Sequence, residues 1–181
     1  MHHDRDLLRA LSSHPVEQFE GEVFRVTSLT RDATEPRANG GRWGLPQGAT
    51  AGTSVLYTSL DRDGAIAEVA SYRVLLTPIP RSNPVKVSRL YLTASKVLRL
   101  SMDDLEALGV NRSKYGQRDY FLTQQIGAGV EHLGYDALIA PSARYDCDNL
   151  VIFAANSGFD ERLEVLGSEQ VEWRDWARRR G

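Results

Sequence analysis

The residues best suited to chemistry lie between positions 40 and 68. Arg42 follows a pair of glycines, Tyr57 ends a short apolar run, and Glu68 lies in a stretch of helical pattern. A glycine pair allows the backbone to approach a ligand closely, and a guanidinium matches the geometry of phosphate oxygens. The spacing therefore predicts a diphosphate site to which a strand brings a tyrosine and a helix brings a carboxylate.

The surrounding motifs resemble those of a known family. They are Phe24-Arg25, Gly40-Gly41-Arg42-Trp43, Leu56-Tyr57, Glu68, and Pro141-Ser142-Ala143 ahead of Asn149-Leu150-Val151-Ile152-Phe153. In content and order this set resembles RES-domain proteins, a bacterial family named for its arginine, glutamate and serine. The matching positions span most of the chain.

The resemblance implies a toxin of a toxin–antitoxin pair, with a fold similar to that of ADP-ribosyltransferases and an activity that consumes NAD. It implies that Glu68, Arg42 and Tyr57 are catalytic, with Glu68 stabilising the ribosyl cation that forms as nicotinamide leaves. Arg25 and Arg42 would bind the diphosphate, and Tyr57 would flank nicotinamide or its ribose. Ser142 would hydrogen-bond the nicotinamide amide or a phosphate. The implied partner is an Xre-type helix-turn-helix antitoxin that blocks the cleft.

The acceptor of the ribosyl group stays open from the sequence. Inorganic phosphate would make the protein an NAD phosphorylase, water would make it a glycohydrolase, and a side chain would make it a mono-ADP-ribosyltransferase. A non-catalytic binding module is the remaining alternative. NAD would be a substrate in the enzymatic readings, so no prosthetic group is expected.

Each candidate residue also has an ordinary structural interpretation. Arg25 could pair with a surface carboxylate, Tyr57 could belong to the core, and Ser142 could cap a turn or helix. Arg42 could lie in an ordinary turn, and Glu68 could lie on a solvated helix face. The order of the motifs favours the functional interpretation.

The elements that must position these residues are read from periodicity and breakers. Helices are predicted over 4–11, 61–73, 101–108, 120–133 and 168–180, and strands over 22–27, 55–57, 85–92, 97–100, 136–140, 149–154 and 162–166. Residues 31–51 are predicted to form a long irregular loop that Trp43 anchors. The pattern indicates a mixed α/β (α+β) fold, with one domain over 1–181, a core of about 20–167 and a C-terminal helix of about 168–180.

Composition limits the remaining possibilities. A length of 181 residues suits one domain, and a net charge of -2 gives no overall attraction to nucleic acid or membranes, so neither is an expected partner. A single cysteine and an N-terminus without an apolar run favour the cytoplasm. The four histidines lack metal-ligand spacing, so no metal site is predicted. A homo-oligomer is compatible with the sequence.

Overall fold

A computed structural model describes residues 4–38, 40–46, 54–75, 84–156 and 162–178. In these ranges the chain forms five α-helices, seven strands and one 3₁₀ turn. In chain order they are α1 (Arg5–Ser12), β1 (Val16–Thr27), β2 (Arg37–Ala38), β3 (Ser54–Ser59), α2 (Arg62–Arg73), β4 (Val85–Arg99), α3 (Met102–Ala107), the 3₁₀ turn (Arg112–Lys114), α4 (Phe121–His132), β5 (Ala137–Pro141), β6 (Asp148–Phe153), β7 (Leu163–Val171) and α5 (Trp173–Arg178). The predicted mixed α+β class is confirmed.

The strands pair in the order β1-β3-β6-β5-β4-β7, and β1 also pairs with β4. Strands β1, β3, β6, β5 and β4 therefore form a closed circuit, with β2 added to β3 and β7 added to β4. Every pairing in the described residues is antiparallel except that of β4 with β5. Strand β1 meets β3 only at Phe24 opposite Ser59, whereas it continues along β4 to Thr27 opposite Lys86. Strands β1 and β3 therefore separate beyond Phe24.

Strand β4 corrects the prediction of two strands over 85–92 and 97–100. It runs unbroken because β1 pairs along almost all of it, from Lys86 opposite Thr27 to Leu98 opposite Val16. The segment at 93–96 resembles a break in the sequence, but β1 pairs up to Ala94 and again from Val97, and between them the Asp136 carboxylate accepts from the amides of Ser95 and Lys96. For the same reason β1 begins at Val16 and not at residue 22.

The C-terminal prediction of a helix over 168–180 was wrong. Residues up to Val171 continue strand β7, and the helix is limited to Trp173–Arg178 in the described residues. The edge of β4 provides hydrogen-bonding partners from Leu163 to Val171, which fixes this segment as a strand. Residues 179 and 180 lie outside the described ranges.

Helices α2 and α4 pack on different parts of the fold and hold the residues of the site in place. Asp61 caps α2 by accepting a hydrogen bond from the Gly64 amide (2.9 Å). The Gly64–Ala67 turn of α2 is buried, and these small side chains bring the helix close to the strands. On another face, α4 packs with α1 and with Trp43, which is 2% exposed and anchors its loop as predicted. Residues 47–51 of that predicted loop lie outside the described ranges, and β2 interrupts it.

None of the helices in the described residues is long and apolar enough to cross a membrane.

Candidate functional site

A cleft of about 880 Å³ opens where β1 and β3 part. Residues from the end of β1, the 40–46 loop, the end of β3 and one side of α2 line it. Four of the five residues predicted from the sequence are among them: Arg25, Arg42, Tyr57 and Glu68. The structure thus brings residues separated by more than forty positions in the sequence into one cavity. Ser142 does not line the cleft but contacts two of the residues that do, Glu68 and Arg144.

The Glu68 carboxylate is held by two donors from outside its own helix. Its Oε1 atom accepts a hydrogen bond from the Ser142 hydroxyl (2.7 Å) and another from the Asn149 side-chain amide (2.8 Å). Hydrogen bonds to an ionised acceptor are the stronger class in proteins. Oε1 accepts both hydrogen bonds, which fixes the orientation of the carboxylate. Oε2 accepts none from Ser142 or Asn149.

Ser142 acts through the turn that joins β5 to β6. Its amide donates to the Cys147 carbonyl (2.8 Å), and its hydroxyl accepts from the amides of Arg144 (3.1 Å) and Tyr145 (3.3 Å). Because these bonds orient the hydroxyl, its own proton points to Glu68. The structure shows the Ser142 hydroxyl supporting the glutamate. The direct contact of Ser142 with nicotinamide or phosphate that the resemblance implies stays a prediction.

Asn149 reaches Glu68 because of its register in the sheet. It pairs with Ser59 of β3 on one side and with Ala140 of β5 on the other. Its side chain therefore stands at the end of β3 where the cleft begins, and it lines the cleft itself.

The Arg42 guanidinium lies between two aromatic rings. Its central carbon is 4.4 Å from the centroid of the Tyr115 ring and 4.8 Å from that of Tyr120, and one nitrogen donates to the Gln117 carbonyl (3.4 Å). A planar guanidinium stacks on aromatic faces in a way that an ammonium group does not reproduce. Arg42 is therefore held in a defined orientation at the cleft and not in an ordinary turn.

Tyr57 uses its hydroxyl to fold the glycine loop. The hydroxyl accepts from the amides of Trp43 (3.1 Å) and Gly44 (2.9 Å) and donates to the Gly40 carbonyl (2.9 Å). Gly41 has a φ of +80°, and a Cβ there would lie 2.5 Å from the Tyr57 hydroxyl oxygen, so this position requires glycine. Burial raises the pKa of Tyr57 to about 12. The phenol is thus neutral near pH 7, and the loop that carries Arg42 depends on it.

Arg25 is buried (7% exposed) and organises the segment that follows β1. Its guanidinium donates to the carbonyls of Ala33 (3.1 Å) and Glu35 (2.7 Å). Burial first, and then the neighbouring charges of Arg31 and Arg37, lower its pKa to about 10. It remains cationic at neutral pH. Arg25 therefore does not form the surface ion pair that was its ordinary structural interpretation.

The cleft carries an excess of positive charge. Among the described residues that line it, Glu68 is the one acidic side chain, and six are arginines: Arg25, Arg31, Arg37, Arg42, Arg73 and Arg144. Charge of one sign on the walls of a cleft attracts ligands of the opposite sign. The arrangement can bind an anionic ligand along its length and present one carboxylate to a positive charge that develops on that ligand.

Sequence reasoning missed several residues of this site. Asn149 was part of a recognised motif, but its bond to Glu68 was not predicted, and the two tyrosines that sandwich Arg42 carried no signal in their local pattern. Arg31, Arg37 and Arg144 were also not assigned. A count of arginines near the glycine loop and the serine turn would have indicated the charge of the cleft.

Comparisons with known proteins give one family match and one structure of similar fold. The RES domain matches residues 21–174. Among solved structures, the M. tuberculosis MbcT–MbcA toxin–antitoxin complex contains a chain with a TM-score of 0.77 and 17% sequence identity, and the alignment covers 97% of each chain. At that identity the likeness is one of fold. A search of curated proteins gives no match.

Proposed function

The chain belongs to the RES-domain family, and from that membership we propose that it is a toxin that degrades NAD by cleaving the bond between nicotinamide and ribose. The observation that carries the proposal is the geometry of Glu68. One carboxylate, fixed by Ser142 and Asn149, lies in a cleft whose other described charges are arginines.

The chemistry of NAD matches this arrangement. The ring nitrogen of nicotinamide is already cationic in NAD, so it takes the electron pair of the broken bond and leaves as neutral nicotinamide without a general acid. Positive charge moves to the ribose. A carboxylate fixed beside that ribose stabilises the transition state more than the ground state, because the charge is larger there. We assign this role to Glu68.

The arginines suit the rest of the substrate. The diphosphate of NAD carries two negative charges, and guanidinium groups bind phosphate oxygens through charge-assisted hydrogen bonds. Arg42 is oriented for this by the rings of Tyr115 and Tyr120, and Arg25 is fixed by the carbonyls that it contacts. Tyr57 supports the loop of Arg42 and lines the cleft, where its ring can flank the nicotinamide ribose.

The acceptor that we favour over a protein side chain is a small one. We propose inorganic phosphate, giving ADP-ribose 1''-phosphate, or water, giving ADP-ribose. The cellular setting would be the cytoplasm, where an antitoxin restrains the activity. The solved MbcT–MbcA complex is a toxin–antitoxin complex of similar fold, which supports an antitoxin as the partner. The RES resemblance favours one of the Xre helix-turn-helix type.

Incubation of the purified protein with NAD tests the proposal. Release of free nicotinamide together with ADP-ribose 1''-phosphate in phosphate buffer, and with ADP-ribose in its absence, supports it and identifies the acceptor. Transfer of a labelled ADP-ribosyl group to protein would show a mono-ADP-ribosyltransferase instead. Binding without any nicotinamide release would show a non-catalytic module.

A further inference from the structure

Four arginines of the cleft have no role in the proposed reaction, and two of these lie in the segment that follows β1. Arg31 and Arg37 flank the segment that wraps Arg25, and both line the cleft. Arg31 donates to the Pro36 carbonyl (3.2 Å) and forms an ion pair with Glu35 (3.1 Å). These contacts fix the Arg31 side chain beside the two-residue strand β2.

The Arg37 side chain is exposed and has no hydrogen-bonding or ion-pair partner among the described residues. It lies close enough to Arg25 for their like charges to repel, and Arg31 repels Arg25 in the same way. Three guanidinium groups within one small region are unfavourable unless an anion lies between them. Glu35 offsets one of these charges, so an excess remains at this end of the cleft.

The position of Arg37 separates it from the reacting centre. Arg37 pairs with Val55 at one end of β3, whereas Asn149, which holds Glu68, pairs with Ser59 at the other end. Four residues of strand between these pairs correspond to about 13 Å. The backbone of Arg37 is therefore well separated from the end of β3 at which Asn149 holds the carboxylate.

We propose that Arg31 and Arg37 form a second anion subsite, which binds a terminal phosphate group at the end of the cleft remote from Glu68. The inference rests on the proposed function for the identity of the rest of the ligand. In a dinucleotide, the group that fits is a phosphate monoester on the adenosine ribose, the 2′-phosphate of NADP. Its distance from the reacting centre favours such a group over free phosphate acting as the acceptor.

Binding of two small nucleotides tests the subsite without any turnover. Adenosine 2′,5′-bisphosphate carries the additional phosphate, adenosine 5′-phosphate lacks it, and neither contains nicotinamide. Isothermal titration of the full chain is expected to show about 10-fold tighter binding of the bisphosphate, the gain typical of one charge-assisted contact. Arg37→Gln should reduce that preference to less than about 3-fold.

The control is Arg89→Gln, which removes the same charge from an exposed side chain that pairs with Glu22 (3.3 Å) and does not line the cleft. It should keep the preference of the wild type. Thermal unfolding of both variants checks that the fold is intact. Failure of NAD cleavage would leave these titrations interpretable, because they involve no reaction.

Titration with inorganic phosphate distinguishes the two sources of the group. If free phosphate binds the wild type and loses affinity in Arg37→Gln, while the bisphosphate has no advantage, the subsite exists and serves free phosphate. If Arg37→Gln alters neither the nucleotide preference nor phosphate affinity more than Arg89→Gln does, the subsite is refuted.

Discussion

Replacing Ser142 with alanine should slow the cleavage of NAD with little change in its binding. The variant removes the 2.7 Å hydrogen bond from the serine hydroxyl to Glu68 Oε1, whereas the 2.8 Å bond from Asn149 remains. The carboxylate then keeps its charge but gains freedom to rotate. Because Ser142 does not line the cleft, the change removes no direct contact with the substrate.

The size of the effect follows from the kind of bond. A hydrogen bond to a charged group contributes about 1.5 to 3 kcal/mol, and about 1.4 kcal/mol corresponds to a factor of ten in rate. Glu68 is only partly buried and retains one of its two donors, so the lower end applies. We expect kcat to fall about 10-fold, with KM changed by less than about 2-fold. Loss of the bonds to the Arg144 and Tyr145 amides should cost about 1 kcal/mol of unfolding free energy.

The assay is nicotinamide release over a range of NAD concentrations, with Ser71→Ala as the matched control. The Ser71 hydroxyl donates to the backbone carbonyl of Glu68 (2.7 Å) and not to its carboxylate. The control should retain wild-type kcat. A Ser142→Ala enzyme within 2-fold of wild type, or an equal loss of kcat in Ser71→Ala, would refute the idea that the serine positions the carboxylate.

Two further predictions concern stability. Gly41→Ala should lower the free energy of unfolding, measured in urea, by about 2 kcal/mol or more, because the residue has positive φ and the added Cβ meets the Tyr57 hydroxyl. The control Gly116→Ala, which has nothing within 4 Å of its added Cβ, should lose less than about 1 kcal/mol. Equal losses in the two variants would contradict this account. Burial raises the pKa of Tyr115 to about 12 from its usual 10, so the folded state holds this proton more tightly and its stability should fall as pH rises from 10 to 12. In unfolding measurements at stepped pH, the stability of Tyr115→Phe should fall less than that of the wild type between pH 10 and 12. Below pH 10 the variant should be less stable, because it lacks the hydrogen bond to the Pro141 carbonyl. If stability falls equally with pH in both proteins, this tyrosine does not contribute.

The sequence identified much of the site because its signals are local. A glycine pair before Arg42, the Asp61 cap and the small residues around Glu68 each act within a few positions of the chain. What brings them together is the parting of β1 from β3. The order of the motifs indicated their association, but only the register of the sheet shows how it arises.

The contacts that hold the reactive groups were less accessible to sequence reasoning. Tyr115 and Tyr120 stack on Arg42 across more than seventy positions, and Ser142 and Asn149 meet Glu68 from the two ends of a turn between strands. Such pairs are set by tertiary structure, which leaves no periodic pattern in a single sequence.

Two of the errors in secondary structure have related causes. Strand β7 is exposed over most of its length, so it lacks the alternation of apolar and polar residues by which a strand is recognised. The mostly polar residues at 93–96 within β4 likewise suggest a break, but β1 pairs on both sides of Ser95 and Lys96, whose amides donate to the Asp136 carboxylate. In both cases a partner strand determined the structure, and local propensity did not.

The most direct test of the central claim is nicotinamide release by Glu68→Gln. Glutamine keeps the shape of the side chain, and its carbonyl oxygen can still accept from Ser142 and Asn149, but it removes the negative charge. The account predicts at least about a 100-fold loss of kcat, the scale found when one preorganised electrostatic group is removed. Glu164→Gln, an exposed residue outside the cleft, should match the wild type. Undiminished release of nicotinamide by a folded Glu68→Gln protein would contradict the claim that this carboxylate stabilises the ribosyl cation.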